Sequence, residues 1–183
     1  EEHARIDTLY RMTSGNVSGS RMDLETFVQR YYLERILYAA NRRFQEMSAG
    51  QFELRMYDLK KAGEGKNRGL DLMVYSNVTG KEREVRTLSG GESFMAALSL
   101  ALGMADQIQQ SSAAINLDMM FIDEGFGSLD AQSRQQAIEV LGELAGDSRM
   151  VGIISHVTEL KEQIDRKLVV SRTDKGSRAV WTE

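Results

Sequence analysis

The chain has 183 residues, a formal net charge of −4 and no cysteine. One domain-sized core fits that length. The missing cysteine excludes a disulfide framework and a thiolate metal site, and the mild acidity excludes nucleic-acid binding through bulk charge alone. No apolar run approaches the roughly 20 residues of a membrane span, and the first residues lack the charged-then-apolar pattern of a secretory signal.

Glu1 to Met12 reads as the end of a helix, with Ile6, Leu9, Tyr10 and Thr13 near one face. Thr13 to Ser20, rich in Gly and Ser, predicts a loop. Asp23 stands where it can cap a second helix running to about Met47. Leu33, Ile36, Leu37, Ala40, Phe44 and Met47 form the apolar stripe of that helix. Gln51 to Tyr57 alternates, with Phe52, Leu54 and Met56 on one face, and Leu70 to Tyr75 does the same. The Gly-rich basic segment between them, Lys60 to Gly69, predicts a hairpin. Its cations suit nucleic-acid phosphates and suit a plain solvated loop equally. After a turn at Val78 to Lys81, Glu82 to Thr87 reads as a third strand.

Thr87-Leu88-Ser89-Gly90-Gly91-Glu92 follows. Ser89 and Glu92 have capping-box spacing, which marks a helix start. The helix continues to about Gln110 with small residues at Ala96, Ala97, Ser99, Ala101, Gly103 and Ala105, so close packing on several sides is expected. The two glycines leave backbone N–H groups uncovered at the positive end of a helix dipole, a place for a phosphate. Taken alone, such a segment is also an ordinary helix-start loop. Leu117 to Ile122 predicts a buried strand ending in Asp123-Glu124, and Gly125 to Ser128 a turn. The helix from Asp130 to about Ala145 turns Ala137, Val140, Leu141 and Leu144 inward. Met150 to Ile154 predicts a strand ending in Ser155-His156. A short helix over Thr158 to Ile164 comes next. The last element is a hairpin of Lys167 to Ser171 and Arg178 to Trp181.

Alternation of strand and helix from Leu117 onward predicts a parallel α/β layer after the antiparallel hairpins. Ligands of such layers sit at the carboxyl ends of strands, where Asp123-Glu124 and Ser155-His156 both fall. Four apolar positions followed by two acids resemble a Walker B motif. Asp123 would then hold Mg²⁺, directly or through water, and Glu124 would polarise the attacking water. Paired acids after a strand are also common as capping turns. Ser128-Leu129-Asp130 alone is an ordinary N-cap, and a lone histidine such as His156 is more often a satisfied structural group than a neutral donor to a γ-phosphate.

The order of these elements is more specific than any one of them. Leu-Ser-Gly-Gly-Glu at 88–92, the Asp123-Glu124 strand, Ser-Leu-Asp at 128–130 and His156 resemble the signature, Walker B, D-loop and H-loop of ABC-type ATPases. The run Phe121-Ile122-Asp123-Glu124-Gly125-Phe126-Gly127-Ser128-Leu129-Asp130 narrows the likeness. Transporter ATPases usually place Pro after the Glu, and SMC proteins usually continue differently. This run is similar to the SbcC family, the ATPase subunits of bacterial SbcCD DNA-repair nucleases. Tyr31-Tyr32-Leu33 through Ala39-Ala40-Asn41-Arg42-Arg43-Phe44 and the closing hairpin share that likeness.

The resemblance implies an α/β fold, the C-terminal lobe of an ABC-type ATPase head with a mixed sheet and packed helices, preceded by the end of a coiled coil. Residues 1–22 would be the coiled-coil end and a loop, and 23–183 the C-terminal half of the head. No Gly-x-x-x-x-Gly-Lys-[Ser/Thr] occurs; Gly63-Glu64-Gly65-Lys66 has the wrong spacing, and Gly15 to Ser20 has no Lys. In SbcC-like proteins the P-loop lies at the far N-terminus, beyond a long coiled coil, so a separate P-loop half is an expected partner. The family works as a sandwich dimer with two ATP molecules between heads. By that likeness Glu124 and His156 are catalytic, Asp123 holds Mg²⁺, and Ser89, Gly90, Gly91 and Asp130 bind ATP, with Arg86 a further contact. A second head, an SbcD-like nuclease and DNA are implied partners, with no membrane and a cytoplasmic, nucleoid-associated setting. An SMC-like clamp without a nuclease is the alternative, and a transporter ATPase is more distant. Without its P-loop half, the chain is expected to expose sheet edges and an apolar face.

Overall fold

Asp23 starts the longest helix as its spacing predicts: its carboxylate accepts the Thr26 N–H at 2.8 Å, and α2 then runs over Leu24–Met47. The computed structural model describes residues 2–15, 22–58, 70–111, 117–145, 150–174 and 176–182. The basic segment at 60–69 and most of the loop after the first helix lie outside the described residues. Helix α1 (Glu2–Thr13) carries no buried residue. Leu37, Ala40, Phe44 and Met47 of the α2 stripe are buried.

Strands β1 (Phe52–Met56), β2 (Leu72–Ser76) and β3 (Lys81–Glu84) form an antiparallel sheet. Leu54 pairs with Val74 in it, and both are buried in the core. Asn41 of α2 closes the free edge of β1. Its amide nitrogen donates to Leu54 O at 2.8 Å, and its oxygen accepts the Leu54 N–H at 2.7 Å. One side chain thus takes the place of a neighbouring strand at that position.

The third strand ends earlier than expected. Val85–Thr87 forms a 3-10 turn instead. Arg83 Nη1 donates to Thr87 O at 2.9 Å, and Thr87 Oγ1 donates to Glu84 O at 2.6 Å. These bonds pull the chain round before it enters α3 (Gly90–Ser111). The small residues of α3 serve a close helix crossing. A Cβ added at Gly103 would stand 2.6 Å from Ile36 O and 2.9 Å from Ala40 N.

Strands β4 (Met119–Asp123) and β5 (Met150–Ile154) pair in parallel, with α4 (Ala131–Leu144) between them in the chain. The expected parallel and antiparallel pairings are both present, but the described strands form three separate sheets rather than one mixed sheet. The expected burial of β4 is not met: Met119 is 56% exposed and Phe121 63%, while Ile122 is buried. Core residues of α3 and α4 cluster with Ile122, whereas Phe121 lies over Gly152, where a Cβ would meet its ring at 2.5 Å. After α5 (Thr158–Gln163), β6 (Lys167–Thr173) and β7 (Gly176–Thr182) close the chain as a hairpin. Leu168 pairs with Trp181 and Val169 with Val180, and all four are exposed.

Candidate functional site

Parallel pairing brings two strand ends side by side. Asp123 pairs with Ile154, and the Glu124 N–H extends the ladder to Ile154 O at 2.8 Å. The chain then breaks sharply. Glu124 has φ 57° and Gly125 φ 96°. A non-glycine residue in the left-handed region costs about 1–3 kcal/mol, and such residues concentrate at functional sites. The turn returns the Glu124 side chain over β5, where Oε1 lies 3.2 Å from His156 Nδ1. The side chains are 65% and 77% exposed, so the pair adds little to stability. A neutral imidazole has one N–H. When Nδ1 spends it on Glu124, Nε2 is left to accept; donation to a phosphate then needs a second proton or a released ring.

Asp123 is exposed at the end of β4. No group of three or more His, Asp or Glu placed to hold a metal ion by themselves occurs among the described residues. A single carboxylate does not make a zinc or calcium cage. It does fit Mg²⁺, which commonly takes one or two carboxylates and completes its shell with water and phosphate oxygens.

The signature segment forms the cap that its spacing predicts. Glu92 N–H donates to Ser89 Oγ at 3.3 Å, and Ser89 N–H donates to Glu92 Oε2 at 2.7 Å. Arg83 Nη2 donates to Glu92 Oε1 at 3.0 Å. Burial pushes the Glu92 carboxyl up, but the Ser89 N–H, Arg83 and the Ser89 hydroxyl outweigh it, and the group sits below its ordinary value. The Ser89 N–H is therefore committed to Glu92. The N–H groups of Gly90 and Gly91 belong to the first helical turn, which lacks intrahelical acceptors.

This segment packs on the turn that follows Glu124. A Cβ on Gly91 would lie 2.8 Å from Ser128 O. Ser128 Oγ in turn donates to Gly125 O at 2.7 Å. Asp130 caps α4: Oδ1 accepts the Ser133 N–H at 2.9 Å and Oδ2 the Ser133 hydroxyl at 3.0 Å. The Ser133 backbone N–H and then its hydroxyl hold this exposed carboxyl below its ordinary value. Arg134 steadies the same corner, donating to Leu129 O at 3.2 Å and pairing with Glu159 of α5 at 3.3 Å.

Glu124 and His156 thus meet at the strand ends, and Asp123 is the last residue of β4 beside them in the chain. Ser89, Gly90 and Gly91 stand on the neighbouring helix start, and the hydrogen bonds of Ser89 stay within its own cap. Arg86, expected beside the nucleotide, forms an ion pair with Glu84 and is 81% exposed. The residue that braces the cap is Arg83. No local pattern marks it, because its partners are the Thr87 carbonyl and a carboxylate nine positions on.

Comparison with known proteins bears on the family and the fold. The family described as SbcC/RAD50-like, Walker B motif, matches residues 68–143. The SbcC component of the SbcCD nuclease from Vibrio cholerae is 48% identical over 176 residues, which is 96% of this chain and 17% of the relative. The SbcC component from Treponema pallidum is 44% identical over 177 residues, 97% of this chain and 17% of the relative. The chain therefore spans about one-sixth of the length of these curated relatives. A chain solved in work on ATP-driven dimerization and DNA-stimulated activation of SMC ATPases superposes with a TM-score of 0.65 at 19% identity, covering 86% of this chain and 89% of that one. The Smc head domain of Pyrococcus furiosus, solved bound to the C-terminal domain of ScpA, gives 0.61 at 20% identity, covering 85% of this chain and 36% of that one. At these identities the structural likeness is one of fold. Motif order, fold and sequence similarity together identify the chain as a C-terminal, Walker B-bearing segment of an SbcC-type ATPase head.

Proposed function

We propose that the chain supplies the signature and hydrolytic residues of an ATP-driven head in an SbcC-type DNA-repair nuclease complex. The observation that carries this reading is the Glu124–His156 pair, 3.2 Å apart at the ends of two parallel strands, with Asp123 beside it. Glu124 orients the attacking water and accepts its proton. His156 serves the γ-phosphate when it donates there instead of to Glu124. Asp123 holds the Mg²⁺ of the nucleotide, and Mg²⁺ supplies charge neutralisation on the phosphate oxygens.

Ser89, Gly90 and Gly91 reach the γ-phosphate of a nucleotide held by a second head. Their donors point from a helix start that shares no hydrogen bond with the Glu124 cluster, which suits service to a different nucleotide. Asp130 stands at the seam between the heads. ATP then joins the heads, and hydrolysis lets them part. A P-loop for the α- and β-phosphates comes from a different segment, since this sequence has none. The exposed faces of β4, β5 and the β6–β7 hairpin suit that segment. Residues 1–22 are the coiled-coil end and its loop, and 23–183 the head proper. The head cycle gates an SbcD-like nuclease on DNA in the cytoplasm, at the nucleoid.

The test is Glu124→Gln in the full-length protein. Turnover should fall about 10²- to 10⁴-fold, the range for losing a general base, while ATP still holds the heads together. Undiminished turnover would overturn the assignment. A nuclease-free clamp of the SMC kind shares this head chemistry; co-purification with a metal-dependent nuclease separates the two, and the matched relatives favour the nuclease reading.

A further inference from the structure

Resting on that reading, we propose that Phe94 is a positioning residue that couples the signature loop to Glu124 within one chain. Glu124 and Gly125 are consecutive left-handed residues, so the direction of the Glu124 side chain depends on what holds this turn. The Glu124 N–H is tied to Ile154 O. Gly125 O accepts from the Ser128 hydroxyl, and the side-chain restraint from α3 is the Phe94 ring. A Cβ on Gly125 would lie 2.1 Å from Phe94 Cε2 and 2.2 Å from Cδ2, so the ring occupies the space beside that backbone. Phe94 also meets Phe126 edge to face, with centroids 5.0 Å apart, and Phe126 is fully buried. The ring is therefore fixed on one side by the core and presses on the Glu124–Gly125 turn with the other.

Phe94 belongs to the first turns of α3, the helix that begins at Gly90. Gly90, Gly91 and Phe94 share one helix, Ser89 is tied to it through Glu92, and Gly91 abuts Ser128 O in the same turn region. A shift of the α3 N-terminus therefore moves the ring against Gly125. Packed interiors pass such shifts on because they contain few voids. The consequence is directional. When a head's signature loop engages the nucleotide of its partner, Phe94 sets the Glu124 of that same head for its own nucleotide.

The experiment uses the full-length protein with its nuclease partner and compares wild type, Phe94→Leu, Phe94→Ala and Glu124→Gln. Steady-state ATP hydrolysis, ATP-dependent head association and thermal unfolding are measured for each. Phe94→Leu and Phe94→Ala should lower kcat about ten- to hundredfold, the scale for a misplaced catalytic group. The KM for ATP and head association should stay within about twofold of wild type. In a double-mutant cycle, Gly125→Ala should cost less kcat in the Phe94→Ala background than alone, because its clash with the ring is gone. Unchanged kcat overturns the proposal, as does a kcat loss that follows lost association and lost thermal stability together. If Glu124→Gln itself keeps full turnover, the hydrolytic reading fails. If Glu124→Gln is inactive and both Phe94 variants are normal, only the coupling fails.

Discussion

Glu92 shows how much of the site rests on one carboxylate. It takes the Ser89 N–H and the Arg83 guanidinium at once, and so decides which donors of the signature segment remain for a ligand. Its lowered pKa makes this a pH-dependent contribution. A carboxyl that is more acidic in the folded state stabilises the fold above its unfolded value, roughly 4.3 for Glu, and loses that contribution as pH falls through the lower folded value. Glu92→Gln keeps cap geometry, since Gln also serves in a capping box, but removes the charge. The variant should melt below wild type near neutrality, and the difference should close as pH falls below about 4. A difference that stays constant or widens in acid would contradict the assignment. At this scale much was legible: Asp23, Ser89 with Glu92, and Asp130 all cap as their spacing predicts. Arg83 was not, because its partners are a turn carbonyl and a carboxylate nine positions on, and the reading of the strand through to Thr87 hid the turn that brings them together.

The elements owe their positions to small residues and single polar clamps. The crossing of α2 and α3 depends on Gly103, whose missing side chain lets backbone meet backbone. Two effects compete in Gly103→Ala. Helix propensity favours alanine by about 1 kcal/mol. Overpacking against Ile36 O and Ala40 N costs about 1–3 kcal/mol, because backbone cannot step aside. The clash should win, and the full-length protein should show a lower first unfolding transition in calorimetry. An equal or raised transition would show that the helices separate without cost. The helices and the hairpin pairings followed closely from periodicity and caps. The burial of β4 did not. An apolar run such as Leu117 to Ile122 looks the same whether its second face is covered by this chain or by something else, and here Met119 and Phe121 are left in solvent.

For the molecule as a whole, large apolar side chains stand exposed on several elements. They lie on α1, α2, β4, β5 and both faces of the β6–β7 hairpin, and an isolated two-stranded hairpin is at best marginally stable in water. The elements that carry the candidate site were legible because its motifs stand at strand ends and helix starts, where short sequences dictate geometry. The contacts between these elements, Phe94 on Gly125 and Gly91 on Ser128, join segments more than thirty residues apart and leave no local pattern. The most direct measurement is steady-state ATP hydrolysis by this chain combined with its P-loop-bearing half, with DNA and the nuclease partner present, beside each half alone. The account predicts turnover only in the combination, abolished by Glu124→Gln. A stable combination without turnover, or turnover that survives Glu124→Gln, would contradict it.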